Sequence, residues 1–107
     1  LAAGPMAAEI NKAGVDIIVD YDGAHSFNNL AALAFNPAPV QTTWLGFPGT
    51  VGDSTVVGHI LSDAIVTPPE TALHFTERLA MLPRCYQPRD LGQKVSEVAL
   101  SREEAGL

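Results

Sequence analysis

The run Gly14-Val15-Asp16-Ile17-Ile18-Val19 constrains this chain most, because a helix-stopping glycine abuts a β-branched run with no room for a loop between them. Upstream, Pro5 suits a first helical turn, where its missing N–H costs nothing, and Met6, Ile10 and Ala13 recur at helical spacing. The predicted helix over 5–13 therefore stops at Gly14 in the left-handed conformation. Val15 to Val19 follows at once and reads as a short strand of the kind buried in a parallel sheet. A helix handing directly to such a strand is the α/β rhythm.

The rest of the chain repeats that rhythm. Asp20-Tyr21-Asp22-Gly23 ends the strand, and Asn28 or Asn29 caps a short helix through Leu30 to Phe35, which Asn36-Pro37-Ala38-Pro39 must terminate. Val40 to Leu45 has the β-branched and aromatic content of a second strand. Gly46-Phe47-Pro48-Gly49-Thr50-Val51-Gly52-Asp53 is a shaped loop, Ser54 to Val57 one helical turn, and His59-Ile60-Leu61 a third strand. Thr67-Pro68-Pro69-Glu70 reads as a capped helix start, with the helix running to about Thr76. Arg78 to Leu82 reads as a fourth strand stopped by Pro83, and the chain turns polar from Tyr86. These elements predict an α/β domain over 1–90 and a connector over 91–107.

Composition narrows the function classes. The chain has 107 residues, and 6 Lys+Arg against 12 Asp+Glu give a formal charge of −6, so no basic stripe exists to neutralise a nucleic-acid backbone. The longest uninterrupted apolar stretch, Leu30 to Phe35, is far short of the roughly 18 residues of a membrane span. One cysteine, Cys85, rules out an internal disulfide framework and a multi-cysteine zinc site. No basic-then-apolar leader points to secretion, and the opening Leu1 in place of Met suggests part of a longer chain.

On physical grounds the best site candidate is the loop after Trp44. Ligands of open α/β sheets bind beyond the carboxyl ends of strands, and this loop leaves such an end. Gly46 permits close approach to the backbone, Pro48-Gly49 suits a turn that exposes amide donors, and Thr50 adds a hydroxyl. Spacing alone describes a tight connection at least as well. It is not a phosphate-binding P-loop, because the Gly-Lys-Ser/Thr ending is absent. Asp20, Asp22 and His25 stand where a general base could sit, and also where aspartates simply form a turn. His59 and His74 are too isolated for a metal site, Cys85 is expected to be a buried inert thiol, and Trp44 to anchor the sheet against a helix.

The phrase Pro37-Ala38-Pro39-Val40-Gln41-Thr42-Thr43-Trp44-Leu45-Gly46-Phe47-Pro48-Gly49-Thr50 resembles the signature of protein O-GlcNAc transferases. In that family Pro-Ala-Pro-aliphatic-Gln is followed, after two residues, by Trp-aliphatic-Gly-aromatic-Pro-Gly-Thr. The lead-in Val15 to Asp20 with Gly23, the later Ile60-Leu61-Ser62-Asp63 and Pro68-Pro69-Glu70, and Thr76-Glu77-Arg78-Leu79 with Leu82-Pro83 are similar to further segments of the same family. The likeness runs from about Ala8 to Asp90. Three positions depart from it. Asn36 stands where an arginine commonly precedes Pro-Ala-Pro, Gly58 where an aspartate commonly precedes an aromatic residue (here His59), and Gly23-Ala24-His25 where Gly-His-Thr is frequent.

The resemblance implies a partial Rossmann-like lobe of a GT-B glycosyltransferase, a short, mainly parallel sheet flanked by helices. It implies transfer of N-acetylglucosamine from UDP-GlcNAc to Ser or Thr of acceptor proteins, with no metal or other cofactor, in the cytoplasm or, in a eukaryote, the nucleus. It also implies partner segments of the same protein, tetratricopeptide repeats and a C-terminal lobe, without which this chain alone is expected to be inactive. Leu45, Gly46 and Pro48 match positions that contact the donor, Gly49 and Thr50 extend that set, and no catalytic residue is assigned. Two alternatives remain open at this point: a related branch that transfers fucose from GDP-fucose, and a degenerate lobe acting as an interaction module.

Overall fold

The computed structural model describes residues 2–26, 28–94 and 97–107. Helix α1 (Ala3–Lys12) opens the chain with Pro5 in its first turn, and Gly14 at φ +66° ends it. Strand β1 (Ile17–Asp20), helix α2 (Leu30–Leu33) and strand β2 (Val40–Trp44) follow; then come β3 (His59–Ser62), a 3-10 helix (Pro69–His74) and β4 (Arg78–Met81). The four strands form one parallel sheet in the sequential order β1-β2-β3-β4. The α/β class and the short parallel sheet expected from the sequence are therefore the architecture observed.

Register decides which residues meet. Ile18 pairs with Gln41, Thr43 with Ile60 and Ser62 with Met81, so these side chains share one face. That face carries the core: Ile60 of β3 is buried on it, and Val57 ahead of β3 and Ala32 and Leu33 of α2 are buried as well. Gln41 Nε2 donates to the carbonyls of Leu33 and Val56, which ties α2 and the β2–β3 connection onto the same face. The opposite face holds Ile17 and Val19, which are 59% and 40% exposed. β1 is thus an edge strand with one open face, not the doubly buried strand its β-branched content suggested, and it begins at Ile17 instead of Val15.

The helix predicted from Thr67 is corrected in kind and in start. It is a 3-10 helix, and Thr67 does not cap it: the Thr67 hydroxyl is paired with Ser62 Oγ at 2.7 Å, and the N-cap position falls to Pro68, which has no side-chain acceptor. Glu70 is exposed, so the capping box never forms. The predicted turn at 54–57 is a single hydrogen-bonded turn in which Val56 and Val57 N–H reach back to the Asp53 carbonyl. In α2 the side-chain contact comes from Asn28, whose Oδ1 accepts from Leu30 N–H, while Asn29 holds the N-cap position. From Gln87 on, every described residue is exposed, and the radius of gyration of 18.1 Å exceeds the ~13 Å typical of a packed 100-residue domain.

Candidate functional site

A parallel sheet brings the carboxyl ends of all its strands to one edge, and here that edge gathers Tyr21 to Gly23, the bend after Trp44, Asp63 to Val66, and Leu82 to Cys85. The bend is held tightly. Leu45 takes φ +80°, a costly conformation for a branched-chain residue, and Gly46 N–H donates back to the Trp44 carbonyl at 3.1 Å. Gly46 presses against β1: a Cβ there would lie 1.9 Å from the Tyr21 carbonyl oxygen. Phe47 in turn packs on Gly23, whose φ of +57° no bulky residue adopts easily, and its ring covers Gly49. Leu45, Gly46 and Pro48 therefore sit together at the carboxyl edge, beside the end of β1.

Thr50 parts from that group. Its hydroxyl donates to Glu77 Oε2 at 2.6 Å and accepts from Gly52 N–H, while Val51 N–H donates to Glu77 Oε1 at 2.6 Å. Glu77 immediately precedes β4, at the amino edge of the sheet, and is only 5% exposed. Burial pushes its carboxyl up, but bonds from Thr50, from its own backbone, from Val51 and from Thr76 outweigh that and hold it below the usual glutamate value. Sequence reasoning singled out Thr50 and passed over Glu77; the only local signal for it is the Thr76-Glu77 pair just ahead of the strand. Among the described residues, the amides of Phe47, Gly49 and Thr50 donate to no protein acceptor, so the bend keeps backbone donors available. The positive end of the following turn is not among them, because Asp53 Oδ1 accepts from Thr55 N–H and Oγ1.

The other candidates fall into place around the bend. Asp20 turns inward, and its Oδ2 accepts from Gly23 N–H at 2.7 Å, the turn-forming role. Asp22 Oδ2 accepts from Asn29, and His25 is exposed. The Trp44 ring packs against Tyr21 with centroids 5.5 Å apart, and Nε1 donates to the Tyr86 carbonyl at 2.8 Å, pinning the chain beyond β4. Asp63, 3% exposed, accepts from Ile65, Val66 and Tyr86 N–H, and those from Val66 and Tyr86 do most to hold its carboxyl below the usual range. Cys85 is exposed, contrary to the buried thiol expected, on a groove of about 440 Å³ between the ends of β3 and β4. His59 is half-buried and His74 exposed; among the described residues no three His, Cys, Asp or Glu side chains are grouped to hold a metal ion. Asn36 and Gly58, two of the departures from the family pattern, line one cavity of about 150 Å³. Gln41 lines it too, and its Oε1 is buried without a partner.

Known proteins resemble this chain in sequence and in fold. The model of glycosyl transferase family 41 matches residues 1–99. A probable UDP-N-acetylglucosamine-peptide N-acetylglucosaminyltransferase, SPINDLY of Arabidopsis thaliana, is 37% identical over 76% of this chain and 9% of its own length. The UDP-N-acetylglucosamine-peptide N-acetylglucosaminyltransferase of Caenorhabditis elegans is 35% identical over 78% of this chain and 7% of its own. A mutant of the Thermobaculum terrenum O-GlcNAc transferase superposes with a TM-score of 0.75 at 32% identity, covering 89% of this chain and 19% of that one. The chain thus spans about a tenth of the length of the curated relatives it matches.

Proposed function

This chain belongs to glycosyl transferase family 41, and from that premise we propose that it forms one wall of the donor site of a protein O-GlcNAc transferase, which moves N-acetylglucosamine from UDP-GlcNAc to Ser or Thr hydroxyls. The observation that carries the reading is the bend of Leu45, Gly46 and Pro48 at the carboxyl edge, with Gly46 and Phe47 fixed against the end of β1 and unpaired amides at Phe47 and Gly49. Neutral amide donors suit the hydroxyls of a sugar and the oxygens of a diphosphate. Gly49 and Thr50 complete the set, Gly49 beneath the Phe47 ring and Thr50 through its tether to Glu77.

The acceptor hydroxyl attacks the anomeric carbon in line, and the departing diphosphate is stabilised by positioned dipoles and cations. The bend supplies part of that cradle. A C-terminal lobe faces the bend across a cleft and supplies the rest of the cradle, a repeat region holds the acceptor protein, and no residue of this chain is assigned as the base. In this reading residues 1–90 are the second half of an N-terminal lobe and 91–107 the connector toward the C-terminal lobe, no metal or cofactor takes part, and the protein works in the cytoplasm or nucleus. No helix among the described residues is long and apolar enough to cross a membrane. The test is transfer by the complete protein to a Ser/Thr peptide, with UDP-GlcNAc and GDP-fucose offered separately. Product from UDP-GlcNAc alone is expected; product only from GDP-fucose refutes the donor, and none from either refutes the enzyme.

A further inference from the structure

The β2–β3 connection leaves the carboxyl edge at Leu45 and must return to the amino edge, where β3 begins at His59. It is fastened at two places. At the carboxyl edge Gly46 lies on the Tyr21 carbonyl and Phe47 on Gly23; toward the amino edge Thr50 and Val51 are held by the two oxygens of Glu77, each at 2.6 Å. Only Pro48 and Gly49 separate the two fastenings. The conformation of that short span, and with it the aim of the free amides, is therefore set from both ends.

We infer that Glu77 is a positioning residue for the sugar-nucleotide donor, acting at a distance by holding Thr50 and Val51 so that the bend keeps its donor-facing shape. Glu77 faces the opposite edge of the sheet and does not touch the reacting atoms. Its burial suits the task, because a carboxylate that is 5% exposed and accepts from an amide and a hydroxyl is confined to one geometry. An amide in its place keeps an acceptor for Val51 but turns an N–H donor toward Thr50, whose oxygen already accepts from Gly52. A methyl keeps neither contact.

This inference rests on the donor-site reading, and the experiment separates the two. In the complete transferase, KM for UDP-GlcNAc and KM for the acceptor peptide are measured for Glu77→Ala, Glu77→Gln, Thr50→Val, the Glu77→Ala/Thr50→Val double variant, and Leu45→Ala with Pro48→Ala as donor-site references. Loss of the tether is expected to raise the donor KM about tenfold in Glu77→Ala, less in Glu77→Gln, and to leave the acceptor KM within about twofold. The double variant should lose less than the product of its singles, since both remove one contact. Should Glu77→Ala fail to fold, Thr50→Val and Glu77→Gln carry the comparison. If the references raise the donor KM while the Glu77 variants do not, or the two residues act independently, the inference is overturned and the donor site stands. If the references also leave the donor KM unchanged, the donor-site reading falls and takes the inference with it.

Discussion

Replacing Gly46 by alanine tests the geometry on which the site depends. The new Cβ would stand 1.9 Å from the Tyr21 carbonyl oxygen, about 1.1 Å inside the 3.0 Å that real Cβ contacts keep, and 3.0 Å from the Tyr21 carbonyl carbon. Moving a Cβ that far on a bond of about 1.5 Å means tilting it by roughly 40°, whereas about 15° of bond-angle strain already costs ~4 kcal/mol. Local distortion cannot absorb the clash, so the strand ends must separate. Overpacking of this kind costs about 1–3 kcal/mol, and a backbone obstacle, unlike a side-chain tip, puts this case at the upper end. Gly4→Ala is the control: nothing lies within 4 Å of its Cβ position, and in a helix the change should stabilise by about 0.5–1 kcal/mol. Hydrogen exchange on the complete protein, read over residues 20–23 and 44–49 beside the unfolding midpoint, should show both segments loosened in Gly46→Ala and neither in Gly4→Ala. Wild-type protection in both segments of Gly46→Ala would mean that the two strand ends are not in contact, and the site as described would be wrong.

Trp44→Phe keeps the ring beside Tyr21 but removes the hydrogen bond to the Tyr86 carbonyl. It should cost about 0.5–1.5 kcal/mol and speed proteolysis within 83–94, and unchanged cleavage there would show that Trp44 does not pin that segment. Acid should loosen the fold in a defined window. The carboxyls of Glu77 and Asp63 are both held below their ordinary values, so their stabilisation is complete above about pH 4–5 and is lost as pH falls through the folded pKa. Unfolding midpoints should be flat in this respect from pH 7 to 5, fall below about pH 4, and fall less steeply in Glu77→Gln; equal slopes in the variant would remove Glu77 from the effect.

The parts of the fold that were legible depend on signals that act within a few residues. Gly14 and the run after it located a helix stop and a strand because both are properties of backbone preference, and the structure keeps both, with φ +66° at Gly14. The 3-10 helix was misread because its cap was judged from sequence neighbours, while the Thr67 hydroxyl is paired with Ser62 across the turn that follows β3. Cys85 was misjudged for a similar reason, since its surroundings come from the ends of β3 and β4, and the partner of the Trp44 indole N–H, Tyr86, lies 42 residues beyond it. Glu77 was invisible because a buried glutamate and an exposed one look alike in a sequence until the loop that covers it is placed. The bend could be found because glycine and proline carry their constraint with them, but the division of its residues between the two edges of the sheet could not.

That division bears on the departures from the family pattern. Asn36 lies just ahead of β2 and Gly58 just ahead of β3, so both stand at the amino edge, opposite the bend formed by Leu45, Gly46 and Pro48. They line the same cavity as Gln41, whose buried Oε1 lacks a donor among the described residues while its Nε2 donates to Asn36 Oδ1 at 3.4 Å. A Cβ at Gly58 finds only the Gln41 carbonyl oxygen, at 3.9 Å, so the position has room for a side chain. Both positions lie beneath the β2–β3 connection, next to Val56, whose carbonyl Gln41 already holds. Their effect falls on how firmly that connection is packed, at the edge of the sheet opposite the bend.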